Sequence, residues 1–211
     1  MAKEIENSAL LVIDVQNDFL PGGALAVPEG DQVVPIVEAL LPRFSIAVAT
    51  QDWHPPEHGS FAANHSDRQP GEVIELNGLT QILWPTHCVS GSEGAEFAAP
   101  LSTSNFTKVF RKGSDPQVDS YSGFFDNGRR HETGLHTWLR SEGVDHLYIL
   151  GLATDYCVAW SALDAVELGF AVTLVEDGCR GVELNSGDIE RAKKELREAG
   201  VRFCESDTLT S

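Results

Sequence analysis

Cys157 closes the stretch Gly151-Leu152-Ala153-Thr154-Asp155-Tyr156-Cys157, which follows the apolar run Leu147-Tyr148-Ile149-Leu150. A strand, a tight turn, a thiol and then a helical pattern set the sulfur at the positive end of a helix, just past the carboxyl end of a strand. Open α/β sheets bind ligands at that edge, and a helix N-terminus favours thiolate over thiol. Cys157 is therefore a candidate nucleophile. A cysteine attacking an amide or ester must give up its proton, and a carboxylate can take it. Asp14, which ends the run Ala9-Leu10-Leu11-Val12-Ile13, is the candidate base. Lys112, just past Lys108-Val109-Phe110, would hold carboxylate and sulfur together and favour the charged thiol. The oxyanion formed on attack needs donors, for which the backbone N–H groups of Ala153 and Cys157 are candidates. Singly, each residue has an ordinary reading: a small core hydrophobe, a turn residue, a solvated cation. Together they stand at strand carboxyl ends, which share one edge of a parallel sheet.

Asp52-Trp53-His54 is a second signal. On an extended segment Asp and His at i and i+2 point the same way, and the pair can hold a divalent metal. His58, His65 or His87 could add a third ligand. A mixed nitrogen and oxygen set suits zinc, iron or manganese better than calcium. The competing reading is a surface Asp–His hydrogen bond.

The elements that must position these residues follow from periodicity. Residues 9–13, 45–50, 108–110, 146–150, 171–175 and 201–204 read as strands. The continuous apolar run at 9–13 suits a parallel strand buried on both faces. Helical spacing recurs from Asp31 to Leu41, with Pro35 tolerated only in the first turn. It recurs around Leu135, Trp138 and Leu139, over 157–168 with Thr154 as a candidate cap, and over 188–199. Residues 55–105, rich in Pro, Gly, Asn, Ser and His, read mostly as long loops of a functional kind. Alternating strands and helices predict a three-layer α/β/α sandwich around a mainly parallel sheet, as one domain over residues 1–211.

Bulk properties bound the function. The chain has 211 residues, 32 acidic against 15 basic, and a net charge of -17. That charge disfavours nucleic-acid backbone binding. No apolar run is long enough to span a bilayer, and the polar start Met1-Ala2-Lys3-Glu4-Ile5-Glu6 does not read as a signal peptide. Four cysteines with no CxxC pair are expected as free thiols in a cytoplasmic protein.

With these residues in view, the chain resembles the nicotinamidase/pyrazinamidase family of isochorismatase-like hydrolases. The resemblance runs from about Ala9 to Thr208. It rests on Leu11-Val12-Ile13-Asp14-Val15-Gln16-Asn17-Asp18-Phe19, Thr50-Gln51-Asp52-Trp53-His54-Pro55, Ser60-Phe61-Ala62 with Asn64-His65, Trp84-Pro85-Thr86-His87-Cys88, Lys112-Gly113, and Gly151 through Val158. It implies deamidation of nicotinamide, and of pyrazinamide, to the acid and ammonia through a thioester, within NAD salvage. It implies the triad Asp14, Lys112 and Cys157, and the metal ligands Asp52, His54 and His87, with zinc as the expected ion. Ser60 stands where some members place a further ligand, and its role is left open, since water can fill that position. Phe19, Leu25, Trp84 and Tyr156 match or adjoin positions that wall the ring pocket, and an aromatic slot suits a flat, neutral substrate. A cis Leu152–Ala153 bond is implied too, turning the Ala153 N–H toward the oxyanion. The expected partner is a small-molecule amide, with a homo-oligomer allowed. Two other readings compete. Isochorismatase-type or carbamoyl-amide hydrolases share the superfamily, but the isochorismatase type lacks the full metal set. A non-catalytic scaffold would have no reason to keep Asp14, Lys112 and Cys157 together.

Overall fold

The computed structural model describes residues 7–210. The N-terminal stretch read above as unlike a signal peptide, residues 1–6, lies outside them. In chain order the strands are β1 (Ser8–Ile13), β2 (Ala47–Asp52), β3 (Val73–Leu76), β4 (Leu79–Ile82), β5 (Lys108–Lys112), β6 (His146–Leu152), β7 (Ala171–Arg180) and β8 (Arg202–Cys204). The α-helices are α1 (Val33–Leu40), α2 (Leu135–Ser141), α3 (Ala159–Glu167), α4 (Asp188–Glu198) and α5 (Asp207–Thr210). Six strands form one parallel sheet in the order β5-β2-β1-β6-β7-β8. Every residue of β1 and β2 is buried, so both faces of the sheet centre are covered, as the unbroken apolar runs require. Pro35 lies in the first turn of α1, where its missing N–H costs nothing.

The register decides where chemistry can occur. Ile13 pairs with Gly151, and Asp52 with Lys112. The carboxyl ends of β1, β2, β5 and β6 are therefore level. From β1 the chain runs to β2 on one side and later to β6 on the other, so the crevice opens at the point where the winding reverses. Gly151 makes the join. Its φ is +130°, and a Cβ there would stand 2.1 Å from the Ile13 carbonyl oxygen. Only glycine lets β6 approach β1 this closely while turning toward Cys157.

Several expectations need correction. Residues 55–105 are not all loop, because β3 and β4 form an antiparallel hairpin. Asn77 and Gly78 join them at φ of +50° and +82°, the left-handed pair that Asn-Gly supplies for a two-residue turn. The helix expected to begin at Cys157 is preceded by a π turn, Thr154–Val158, before α3. The Ala153 carbonyl accepts from the N–H of both Tyr156 (3.0 Å) and Val158 (3.1 Å), which widens the turn. The Thr154 side chain caps nothing, because Ala153 holds the capping position. The second strand sits two residues later than expected, and β5 and β7 run on to Lys112 and Arg180. The Leu152–Ala153 peptide is cis, as the resemblance implied. Among the described residues no helix is long and apolar enough to cross a membrane.

Gly151→Ala should lower the unfolding free energy by about 3 kcal/mol or more in urea titrations, through collision with Ile13. Gly143→Ala, with φ +74° and nothing within 4 Å of its added carbon, should cost only about 1–2 kcal/mol.

Candidate active site

Asp14 leaves β1 with φ +47°, which turns its carboxylate from the sheet into the crevice. Thr50 on the neighbouring strand fixes it: the Thr50 hydroxyl donates to Oδ1 at 2.6 Å and accepts the Asp14 N–H at 3.2 Å. Lys112 is fully buried beside it. The Lys112 ammonium donates to Asp52 Oδ1 (2.6 Å), the Ser120 carbonyl (2.8 Å) and Cys157 Sγ (3.4 Å). Three N–H bonds are all an ammonium has. Asp14 Oδ2, at 2.9 Å in an ion pair with the same nitrogen, is left without a hydrogen bond. A carboxylate oxygen of Asp14 lies within 4.8 Å of Cys157 Sγ, and Oδ1 is taken by Thr50. Oδ2 is the open acceptor for the thiol proton.

The charges follow. Burial raises Asp14 to about 6 against the attraction of Lys112, with Asp52 adding to the rise. Burial also opposes charge on Asp52, but Lys112 and His54 outweigh it and hold that carboxylate ionised. Burial pushes Cys157 well above the ordinary thiol value; Lys112 opposes this, and Asp14 and Asp52 reinforce it. Lys112 pulls in the expected direction, yet desolvation and two carboxylates exceed it.

Asp52, His54 and His87 bring ligating atoms within 4.8 Å of one another. His54 Nδ1 bonds the Gly113 carbonyl at 2.8 Å and His87 Nδ1 the Pro85 carbonyl at 2.7 Å. A carbonyl only accepts, so both rings carry a proton on Nδ1 and leave Nε2 as the nitrogen facing the cluster. Gly113 is required here, since a Cβ would lie 2.3 Å from His54 Cε1. Burial and His54 lower His87 to about 4, which keeps it neutral and able to ligate. Two imidazoles and one ionised carboxylate fit a divalent transition ion. Asp52 is itself held by Gln16, whose amide accepts the Asp52 N–H at 2.8 Å and donates to its carbonyl at 2.9 Å.

A second group, His54, His58 and Asp119, is also close, but its donors are committed. The Ser60 N–H donates to His58 Nδ1 at 3.2 Å, so that nitrogen is an acceptor, and the Ser60 hydroxyl donates to it at 2.7 Å. The His58 proton therefore sits on Nε2, buried without a formed hydrogen bond. Asp119 accepts from Gln81 Nε2 (3.0 Å) and the Ser120 N–H (2.8 Å). His65 bonds the Gly59 carbonyl at 2.7 Å, apart from both groups. Of the three histidines weighed as a third ligand, the geometry favours His87.

A narrow cleft, open at its mouth, lies against Cys157. Phe19, Leu25, Trp84 and Tyr156 line it as expected, with Asp52, His87 and Ala153. The rings brace one another: Trp84 meets Tyr156 edge-on at 5.0 Å, and the Trp84 N–H donates to the Tyr121 hydroxyl at 3.1 Å. Asp119, Tyr121 and Val182 also line it, and sequence reading missed them. Tyr121 carried a weak signal as an aromatic in a polar loop; Val182 carried none.

The isochorismatase domain model matches residues 8–207. Nicotinamidase of Escherichia coli (strain K12) is 50% identical over 197 residues, covering 92% of each chain. The chain belongs to the nicotinamidase/pyrazinamidase family. Among solved members of this family, a nicotinamidase/pyrazinamidase from Acinetobacter baumannii superposes with a TM-score of 0.94 at 46% identity, over 98% of this chain and 100% of that one. A pyrazinamidase of Pyrococcus horikoshii in complex with zinc superposes with a TM-score of 0.77 at 37% identity, over 94% and 99%. The parallel sheet and helices described above are those of the family.

Because Lys112 is the cation that favours thiolate, Lys112→Ala should slow alkylation of Cys157 near neutral pH, roughly tenfold for each unit by which the thiol pKa rises. Peptide mass mapping against time reads this, and an unaltered rate would remove Lys112 from that role.

Proposed function

We propose that this protein is a metal-assisted cysteine amidohydrolase that converts nicotinamide, and also pyrazinamide, to the acid and ammonia. The observation that carries the reading is the buried Asp14–Lys112–Cys157 cluster, with an open acceptor on Asp14, at the floor of an aromatic slot.

The residues act as follows. Asp14 Oδ2 takes the Cys157 proton as Sγ attacks the carboxamide carbon. The developing oxyanion is received by the N–H groups of Ala153 and Cys157. Lys112 stabilises the anions on either side of it. Asp14 returns the proton to the amide nitrogen, the C–N bond breaks, and ammonia leaves a thioester. Asp14 then takes a proton from water as the water oxygen attacks. The C–S bond breaks, Sγ recovers a proton, and the carboxylate product departs. Phe19, Leu25, Trp84 and Tyr156 hold the ring flat. Asp52, His54 and His87 would hold the metal, which supplies a Lewis-acid site for the ring nitrogen. Zinc is the ion we favour, on the donor set and on the zinc-bound pyrazinamidase relative, ahead of iron or manganese. Ser60, whose hydroxyl proton points at His58, keeps oxygen lone pairs that could serve the same ion. We read the chain as one domain, cytoplasmic in keeping with four free cysteines, with its place in NAD salvage.

Cys157→Ala should abolish ammonia release from nicotinamide while circular dichroism stays native. Retained release would remove Cys157 from the mechanism. The acid limb of kcat/KM should have an apparent pKa near that of Asp14, about 6; as pH falls through it the base form is lost and the rate drops about tenfold per unit. An acid limb near 4 would argue against a buried base. His54→Ala should reduce bound metal per chain, measured by plasma mass spectrometry, and raise KM strongly; unchanged metal content would place the ion elsewhere.

A further inference from the structure

Asp155 has no part in the chemistry above, yet it lies in the π turn between Ala153 and Cys157. Its carboxylate takes two backbone N–H groups of the chain that follows β7. One oxygen accepts the Val182 N–H at 2.9 Å and the other the Glu183 N–H at 2.8 Å. Both belong to the strap, residues 181–187, that leaves β7 and enters α4. The crossing is tight: a Cβ on Gly181 would stand 2.4 Å from Ile189 and 3.0 Å from Asp155 Oδ1. Beyond the clamp the strap is exposed. Glu183 is left-handed at φ +52°, and Leu184 is 44% exposed. At its far end Glu183 accepts the Gly187 N–H at 2.9 Å.

Val182 is the strap residue that lines the substrate cleft. The aromatic walls are cross-braced by ring contacts and by hydrogen bonds to Tyr121. Val182 lacks such ring contacts and side-chain hydrogen bonds; partly buried, it packs against the core. Its place is set by the backbone bond it makes to Asp155, two residues from the nucleophile. The same carboxylate thus ties the turn that carries Sγ to a wall of the cleft.

We propose that Val182 is the residue that limits ring substituents in this pocket, and that Asp155 is the positioning residue that holds it there. The inference rests on the amidohydrolase reading for its substrate class, carboxamides of six-membered heteroaromatic rings. Removing the valine methyls should open room beside one ring position. Removing the clamp should let the strap back away from the same position.

The test compares wild type, Val182→Ala, Asp155→Ala and Asp155→Asn on nicotinamide and on nicotinamides methylated at each ring carbon. Val182→Ala should raise the kcat/KM ratio of one methylated substrate over nicotinamide about tenfold. Asp155→Ala should shift the same ratio in the same direction and raise KM for nicotinamide more than it lowers kcat. Asp155→Asn, with one acceptor oxygen left, should fall between. A merely structural Asp155 would lower Tm and kcat together and leave the ratios alone; that result, or ratios unmoved in Val182→Ala, overturns the proposal. Amide hydrogen exchange is the second measurement. Val182 and Glu183 N–H should exchange at least tenfold faster in Asp155→Ala, with Cys157 and its neighbours unaffected; unaccelerated exchange also overturns it. A wild type that releases no ammonia from nicotinamide would overturn the activity reading alone, because the exchange measurement still tests the clamp.

Discussion

One buried ammonium organises this protein. Lys112 reaches Asp14, Asp52, the Ser120 carbonyl and Cys157 from a wholly buried side chain. A lone lysine so buried would be neutral, and two carboxylates so close would not both ionise. Together they hold: burial works against the charge on Lys112, and Asp14 and Asp52 raise its pKa well above the usual value. Replacing one member leaves the others buried and unpaired, which is the expensive way to break such a cluster. The arrangement also divides labour between two chemically equal aspartates. Asp52 receives an ammonium proton directly and stays ionised, fit for a metal. Asp14, whose burial outweighs the pull of Lys112, sits near 6, fit for a proton.

The fold serves this cluster through register. Asp52 pairs with Lys112 across β2 and β5, and Ile13 with Gly151 across β1 and β6. Through the pairing of Val12 with Ala49, three strand ends and one turn are level to within two residues. A one-residue slip would send each side chain to the opposite face. Gly113 and Gly151 allow the close approaches this needs, against the His54 ring and the Ile13 backbone.

Much of this was legible in the residues. Continuous apolar runs ending in Asp14, Asp52 and Lys112 announced buried parallel strands with chemistry at one edge, and Gly151 to Cys157 announced the nucleophile turn. Three kinds of feature were not legible. The resting protonation of Cys157 depends on how burial and two carboxylates weigh against one lysine, and spacing carries no burial. The π turn depends on a shared acceptor, the Ala153 carbonyl, which no sequence period reports. Asp119, Tyr121 and Val182 reach the cleft from loops whose paths are set by tertiary contacts. The β3–β4 hairpin differs: Asn77-Gly78 between short apolar runs was a readable signal, hidden by the polar company around it.

The central claim is that Asp14, held by Lys112, takes the proton of a neutral Cys157 thiol so that the sulfur can be acylated. Its most direct test is acid quenching of enzyme and nicotinamide within one turnover, followed by mass mapping of the cysteine peptides. The account predicts a nicotinoyl group on Cys157 in wild type and none, on that timescale, in Asp14→Asn. A label on Cys88, Cys179 or Cys204, or acylation of Cys157 at the wild-type rate in Asp14→Asn, would contradict it.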